Sequence, residues 1–141
     1  MKNFDIFKNS KVIVTGHTGF KGSWLTAWLK ELGANVMGIS SGEPTTPCHF
    51  KVSKIHRGIK DIRLDIRNKE KLSKRVVAFK PDFFFHLAAQ SLVGLSYKDP
   101  TLTWQTNVMG TLNVLETIRK LKNSCNVIII TSDKCYFNKE V

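Results

Sequence analysis

Cysteine is scarce in this sequence and poorly placed for cross-linking. Cys48, Cys125 and Cys135 are an odd number, and none stands in a Cys-x-x-Cys pair. That pattern argues against a disulfide framework and against a cysteine zinc site, and reads as three free thiols in a reducing compartment. His17, His49, His56 and His86 are scattered without ligand spacing, so no metal centre is expected. Long apolar runs are missing as well. Nothing approaches the roughly 20 residues of a membrane span, and the polar stretch from Met1 to Lys11 lacks a signal-peptide core. A cytoplasmic address without a membrane partner follows by default. Acidic residues are few, 11 Asp and Glu against 22 Lys and Arg, for a net charge of +11. The excess is concentrated in residues 51–80, where eleven Lys and Arg face only Asp61, Asp65 and Glu70. These charges alternate with core-type residues and have no interleaved aromatic platform. They read as a solvated basic face, not as a nucleic-acid site.

What is present is order. The 141 residues leave room for one domain, 1–141, with a sizeable core, and no repeat or low-complexity segment interrupts it. The apolar run at Lys11–Thr15 ends in Gly16-His17-Thr18-Gly19-Phe20-Lys21-Gly22, and an amphipathic pattern follows. A buried strand, a glycine turn and a helix N-terminus in that order form a phosphate cradle. Glycine lets backbone N–H groups approach the anion, and the helix end carries partial positive charge. The spacing Gly-x-x-Gly-x-x-Gly is a variant of the dinucleotide fingerprint. The helix is expected over Lys21–Leu32, with Leu25, Trp28, Leu29 and Leu32 on one face and Gly33 as its stop. A second strand reads at Asn35–Ile39, an irregular excursion from Ser41 to Arg57, and a third strand at Ile59–Leu64. Asn68 caps a helix to Phe79, with Leu72, Val76 and Phe79 inward. The run Phe83 to Ala89 reads as a central strand buried on both faces. A long helix over Thr101–Leu121 places Val108, Leu112, Leu115 and Ile118 at core spacing. A fifth, apolar strand lies at Asn126–Ile130. Alternating parallel-type strands and helices predict an α/β doubly wound parallel sheet of Rossmann type, order 3-2-1-4-5. Its function should sit at the carboxyl ends of the strands.

Chemistry at those ends is uneven. The acid that usually receives an adenosine ribose after the second strand is missing. Ser40 falls at that place, Ser41 follows, and no acid appears before Glu43. Serine can still bond a ribose hydroxyl, while His17 and Lys21 add potential positive charge that would help phosphate binding or favour a 2′-phosphate. NAD is the cofactor these features suggest. Asp65-Ile66 can line an adenine, or Asp65 can serve as an acid at a helix N-terminus. Leu87, Ala88, Ala89, Gln90 and Ser91 are small or hydrogen-bonding, suited to a flat cofactor, and His86 reads as structural. Thr131-Ser132-Asp133-Lys134-Cys135-Tyr136 gathers a hydroxyl, a carboxylate and an amine at the mouth of the sheet. The group reads either as an acid–base set or as a turn with a local ion pair.

The stretches Thr15–Gly22, Leu64–Arg67, His86–Ser91, Asn107–Thr111 and Thr131–Tyr136, in this order, resemble the extended short-chain dehydrogenase/reductase family, in its nucleotide-sugar branch. Within that branch the likeness of Gly16 to Leu25 and of Thr131 to Tyr136 is to members that dehydrate CDP-glucose. The resemblance implies a bound NAD that oxidises the sugar at C4, loss of water across C5 and C6, and return of the hydride to C6. It implies that Ser132 bonds the sugar near C4, that Asp133 protonates the departing C6 hydroxyl, and that Lys134 stands where many relatives have a glutamate base. A lysine in that role needs a depressed pKa. It places Gly16, Thr18, Gly19, Phe20, Lys21 and Gly22 on the pyrophosphate, Asp65 and Ile66 on the adenine, and Leu87, Ala88, Ala89, Gln90, Ser91 and Thr106 on the nicotinamide half. Asn107 is expected to tie helix to strand. The family's Tyr-x-x-x-Lys pair is not found, since Tyr97 is followed four residues on by Thr101 and Tyr136 by Glu140. The expectation is therefore an N-terminal portion without the substrate lobe, inactive alone, from an enzyme that is a homo-oligomer when full length.

Overall fold

In the computed structural model, which describes residues 2–132 and Phe137, five strands lie parallel in one sheet. They are β1 (Lys11–Thr15), β2 (Asn35–Ser40), β3 (Lys60–Arg63), β4 (Phe83–His86) and β5 (Asn126–Ile129), in the order β3-β2-β1-β4-β5. The helices are α1 (Phe20–Glu31), α2 (His49–Val52), α3 (Lys69–Phe79), α4 (Val93–Lys98), α5 (Pro100–Trp104) and α6 (Gly110–Ile118), the last two joined by a π-helical turn at Gln105–Met109. This is the doubly wound sheet and the strand order expected from the sequence.

Strand periodicity decides which residue faces which layer. Val12, Val14 and Val36 meet Leu29 of α1 on one face, with Phe83 and Phe85 packed against them. Ile13, Met37, Ile39 and Phe84 meet Leu72, Val76 and Phe79 of α3 and Val114 of α6 on the other. Val12, Ile13 and Val14 are wholly buried, each stabilising the fold by about 1.5–3 kcal/mol relative to an exposed position. Local signals close the elements. Asn68 accepts the Lys71 N–H at the start of α3, and Gly33, at φ +80°, turns the chain out of α1 in the left-handed region that suits glycine.

Several boundaries and faces differ from expectation. β4 ends at His86, not Ala89: the Leu87 N–H still reaches the Thr15 carbonyl at 3.1 Å as well as the Thr15 hydroxyl, but the Ala88 N–H donates to that hydroxyl at 3.3 Å. The excursion after β2 contains the short α2, and α4 has no counterpart in the sequence reading. α1 buries Gly22, Ser23, Thr26 and Leu29, while Trp28 is half exposed and lies edge-on to Phe4. Small residues let this helix approach the glycine loop closely. α6 buries Gly110, Val114 and Thr117 and leaves Leu112 and Leu115 exposed, as is Val108 of the π turn before it. The π turn adds a residue to its turn and so offsets the buried stripe from an α-helical count. No helix among the described residues is long and apolar enough to cross a membrane.

Candidate functional site

The three glycines of the loop have separate jobs. Gly16 turns the chain at φ +74°, and a Cβ there would lie 2.8 Å from Ala88 N and from Leu87 C. The loop after β1 thus touches the segment after β4. Gly19 begins the approach to α1, its N–H donating to the Gly16 carbonyl at 3.0 Å, and no side chain caps the helix. The first N–H groups of α1 therefore remain available to an anion. Gly22 is where helix and loop meet: a Cβ would fall 2.1 Å from Gly16 O. Phe20 is 72% exposed and Lys21 also reaches solvent. Thr18 is buried, its hydroxyl donating to the Gly42 carbonyl at 2.6 Å and its N–H to Ser40 Oγ at 3.4 Å.

His17 does not line this loop as a cation. Its ring is wholly buried, filling the notch left by the missing side chain of Gly38, where a Cβ would be 2.3 Å away. Nδ1 lies 3.0 Å from Ser40 Oγ and Nε2 lies 2.9 Å from Asp61 Oδ1. The edge of Phe50 closes the slot at 4.9 Å between centroids. Burial pushes the ring's pKa below the ordinary histidine range, and Asp61 opposes that shift without reversing it. The expected charge near a 2′-phosphate is therefore replaced by a neutral ring that packs into the sheet. Asp61 was invisible as a site residue. The signals for it were the alternation of Asp61 with Arg63 in a short strand and a glycine in the middle of β2.

Asp65 follows β3 and is held by Arg67, whose backbone N–H, Nε and Nη2 donate to its carboxylate at 2.8, 2.9 and 2.7 Å. The Arg67 hydrogen bonds hold Asp65 below the usual carboxylate range. Ile66 is 4% exposed and packs in the core against Gly110, where a Cβ would meet Ile66 Cδ1 at 2.6 Å. Leu87 and Ala88 are half-buried beside Thr15, and Ala89 and Ser91 are exposed. Gln90 is tied down: Asn107 Oδ1 accepts its N–H at 2.7 Å, Asn107 Nδ2 donates to its carbonyl at 2.9 Å, and its amide donates to Thr103 Oγ1 at 3.0 Å. Asn107 ties helix to strand end, as expected. Thr106 sits in the same π turn, half-buried. Ser132 lies exposed beyond β5; Asp133 and Lys134 fall outside the described residues. Lys51, Lys54, Arg57 and Arg63 of the basic segment line a cavity of about 470 Å³ beside Phe50. No cluster of metal-ligating groups occurs among the described residues.

The sheet order, the uncapped helix behind a glycine turn and the small segment after β4 define a Rossmann-type fold of the extended short-chain dehydrogenase/reductase class. The chain belongs to the GDP-mannose 4,6-dehydratase family, whose sequence model matches residues 13–140. It is 49% identical over 139 residues to CDP-glucose 4,6-dehydratase of Salmonella typhimurium, a match covering 99% of this chain and 38% of that protein. Its structure is similar to the epimerase Mth375 of Methanothermobacter thermautotrophicus, with a TM-score of 0.82, 26% identity, and coverage of 99% of this chain and 40% of the other. It is also similar to the UDP-glucose 4-epimerase of Thermus thermophilus in complex with NAD, with a TM-score of 0.69, 33% identity, and coverage of 78% and 34%. The chain thus spans well under half the length of the relatives it matches.

Proposed function

We propose that this chain is the NAD-binding portion of a nucleotide-sugar 4,6-dehydratase acting on CDP-glucose. The observation that carries the reading is the loop of Gly16, Gly19 and Gly22. It is packed too closely for side chains and placed before an uncapped helix at the carboxyl end of the central strand. The 49% identity to a CDP-glucose 4,6-dehydratase supports this substrate over others. NAD bound in this cradle would supply the hydride acceptor for C4 of the sugar and the hydride for C6 that a dehydration across C5 and C6 needs.

The chain's own residues then have these roles. Gly16, Thr18, Gly19, Phe20, Lys21 and Gly22 hold the pyrophosphate, with Thr18 acting through its grip on Gly42. Ser40 faces the adenosine ribose, Asp65 and Ile66 border the adenine, and Leu87, Ala88, Ala89, Gln90, Ser91 and Thr106 border the nicotinamide half. Ser132 orients the sugar near C4, Asp133 gives a proton to the leaving C6 hydroxyl, and Lys134 takes the C5 proton. The 141 residues alone hold NAD without turnover, and the whole enzyme is a cytoplasmic homo-oligomer. Titrating the chain with NAD, and assaying it with CDP-glucose for a 4-keto-6-deoxy product, tests both parts. Absence of NAD binding sinks the first, and product formation by the isolated chain sinks the second. The epimerase likenesses favour a second reading, interconversion without loss of water. Product analysis of the whole enzyme separates the two, since only the dehydratase yields a 6-deoxy sugar.

A further inference from the structure

Ser40, His17 and Asp61 form one hydrogen-bonded line whose protons can be ordered from the chemistry. A carboxylate has no proton to give, so His17 Nε2–H donates to Asp61 Oδ1 at 2.9 Å. The buried ring is neutral, so Nδ1 is bare and the Ser40 hydroxyl donates to it at 3.0 Å. The Thr18 N–H donates to the same Ser40 oxygen at 3.4 Å. Ser40 has a single hydroxyl proton, and it points inward. What the side chain has left is a lone pair.

We infer that the Asp61–His17 pair holds Ser40 as a hydrogen-bond acceptor, which makes Ser40 a specificity-determining residue for an unphosphorylated ribose at the dinucleotide site. The inference rests on the cofactor reading above and deepens it. A ribose hydroxyl can donate to such a group. A 2′-phosphate presents only acceptor oxygens and meets lone pair with lone pair. Through His17, Asp61 thus lends an uncharged serine the acceptor-only character that makes a carboxylate select a diol.

The ring is wholly buried between Gly38 and Phe50, so exchanging its two nitrogens requires those neighbours to repack. The charged groups that face the line come from β3, α2 and the segment between them, where Lys54 and Arg57 share a cavity with Asp61. Arg63 of β3 is bound to Asp61 at 2.9 Å and to Glu43 at 2.7 Å, and Lys51 of α2 is bound to Glu43 at 3.3 Å. His56 lies against Phe50, with the ring centroids 6.1 Å apart.

The test is titration of the full chain with NAD and with NADP, alongside nitrogen NMR of the His17 ring. The wild type should bind NAD about tenfold more tightly than NADP, the effect of one hydrogen bond made or lost, and the ring should carry its proton on Nε2. Asp61→Asn can donate to Nε2, which moves the ring proton to Nδ1 and turns the Ser40 hydroxyl outward. The ratio of the two dissociation constants then falls toward one. Ser40→Ala also removes the preference, and in that background Asp61→Asn should change nothing further. A merely structural role would weaken both ligands together. Lowering the pH on the wild type gives a second measurement that needs no change at Asp61. Protonation at Nδ1 lowers the same ratio, and Ser40→Ala abolishes the effect. Equal binding of both dinucleotides by the wild type overturns this inference alone. So does a ratio that Asp61→Asn shifts equally with and without Ser40, since that effect would belong to Arg63. Binding of neither dinucleotide overturns the cofactor reading, and this inference with it.

Discussion

His86 Nδ1 lies 2.7 Å from Thr15 Oγ1, joining the ends of β4 and β1 where water does not reach. Thr15 already accepts the N–H groups of Leu87 and Ala88, so its own proton goes to the ring. On the far side the Thr111 hydroxyl donates to the Asn107 carbonyl at 2.6 Å, so His86 Nε2–H donates to Thr111 at 3.0 Å. This network suits the neutral ring alone, and burial pushes the His86 pKa down to about 4.

Stability should therefore fall with pH in a defined window. An unfolded histidine titrates at about 6.5, while burial pushes folded His86 down to about 4. Between those values the unfolded chain takes up a proton that the folded chain refuses, so acid favours unfolding. The stabilisation is fully present above the unfolded pKa. It is lost as the pH falls toward the folded one, by about 2 kcal/mol at pH 5. His17, shifted in the same direction, steepens the slope. Urea unfolding between pH 7.5 and 5 should show the loss, and His86→Gln should flatten it while lowering stability at pH 7.5.

Gly22→Ala forces a methyl to within 2.1 Å of the Gly16 carbonyl, a contact with backbone that cannot swing aside. Overpacking of this kind typically costs about 1–3 kcal/mol. Because the strained atoms are the phosphate loop itself, NAD affinity should drop more than tenfold. Thermal unfolding and NAD titration measure the two effects separately. Unchanged affinity in a folded Gly22→Ala protein would remove the loop from the cofactor site.

Asn107→Ala takes away both partners of the Gln90 backbone at once. Two hydrogen bonds at roughly 1 kcal/mol each predict a loss of about 2 kcal/mol in chemical denaturation. Hydrogen exchange should quicken at Gln90 and leave β2 and β3 untouched. Uniformly faster exchange would mean that Asn107 supports the whole domain and not one junction.

Trp104, Val108, Met109, Leu112 and Leu115 are all exposed along the helical run from Pro100 to Ile118. An apolar strip of this kind is a candidate interface, and a second copy of the chain is the occupant that the homo-oligomer proposed above would place there. Leu112→Glu with Leu115→Lys should convert the full-length protein to monomers in light scattering while its unfolding temperature changes little. Retention of the oligomer by that variant counts against this strip.

The fold was legible because period-two patterning does not depend on distant contacts. Val12 and Val14 had to face away from Ile13 whatever covered them. The glycine loop was equally plain, since strand, turn and helix N-terminus are neighbours in sequence. Other features depend on residues far apart in the chain. The direction of His17 is decided by Gly38 and Asp61, and nothing within the loop reveals that its ring turns inward. The buried face of α6 was misread because the π turn at Gln105–Met109 carries no hydrophobic signature. α4 escaped notice for a simpler reason: its six residues are too few to display a helical period. β2 runs one residue past the expected Asn35–Ile39 to include Ser40, and the direction of the Ser40 hydroxyl proton depends on atoms of two other segments.

The notch at Gly38 makes two positions on separate elements behave as a single unit of substitution. A methyl introduced at residue 38 has nowhere to go while residue 17 carries a ring, and a small residue at 17 leaves a void beside Phe50. Changes at the two sites should therefore be tolerated as compensating pairs and rejected singly. Homologous chains would be expected to sort into those with a ring at 17 facing glycine at 38 and those with a small residue at 17 facing a filled strand. Only the first group has a histidine with which to orient the serine at the end of β2.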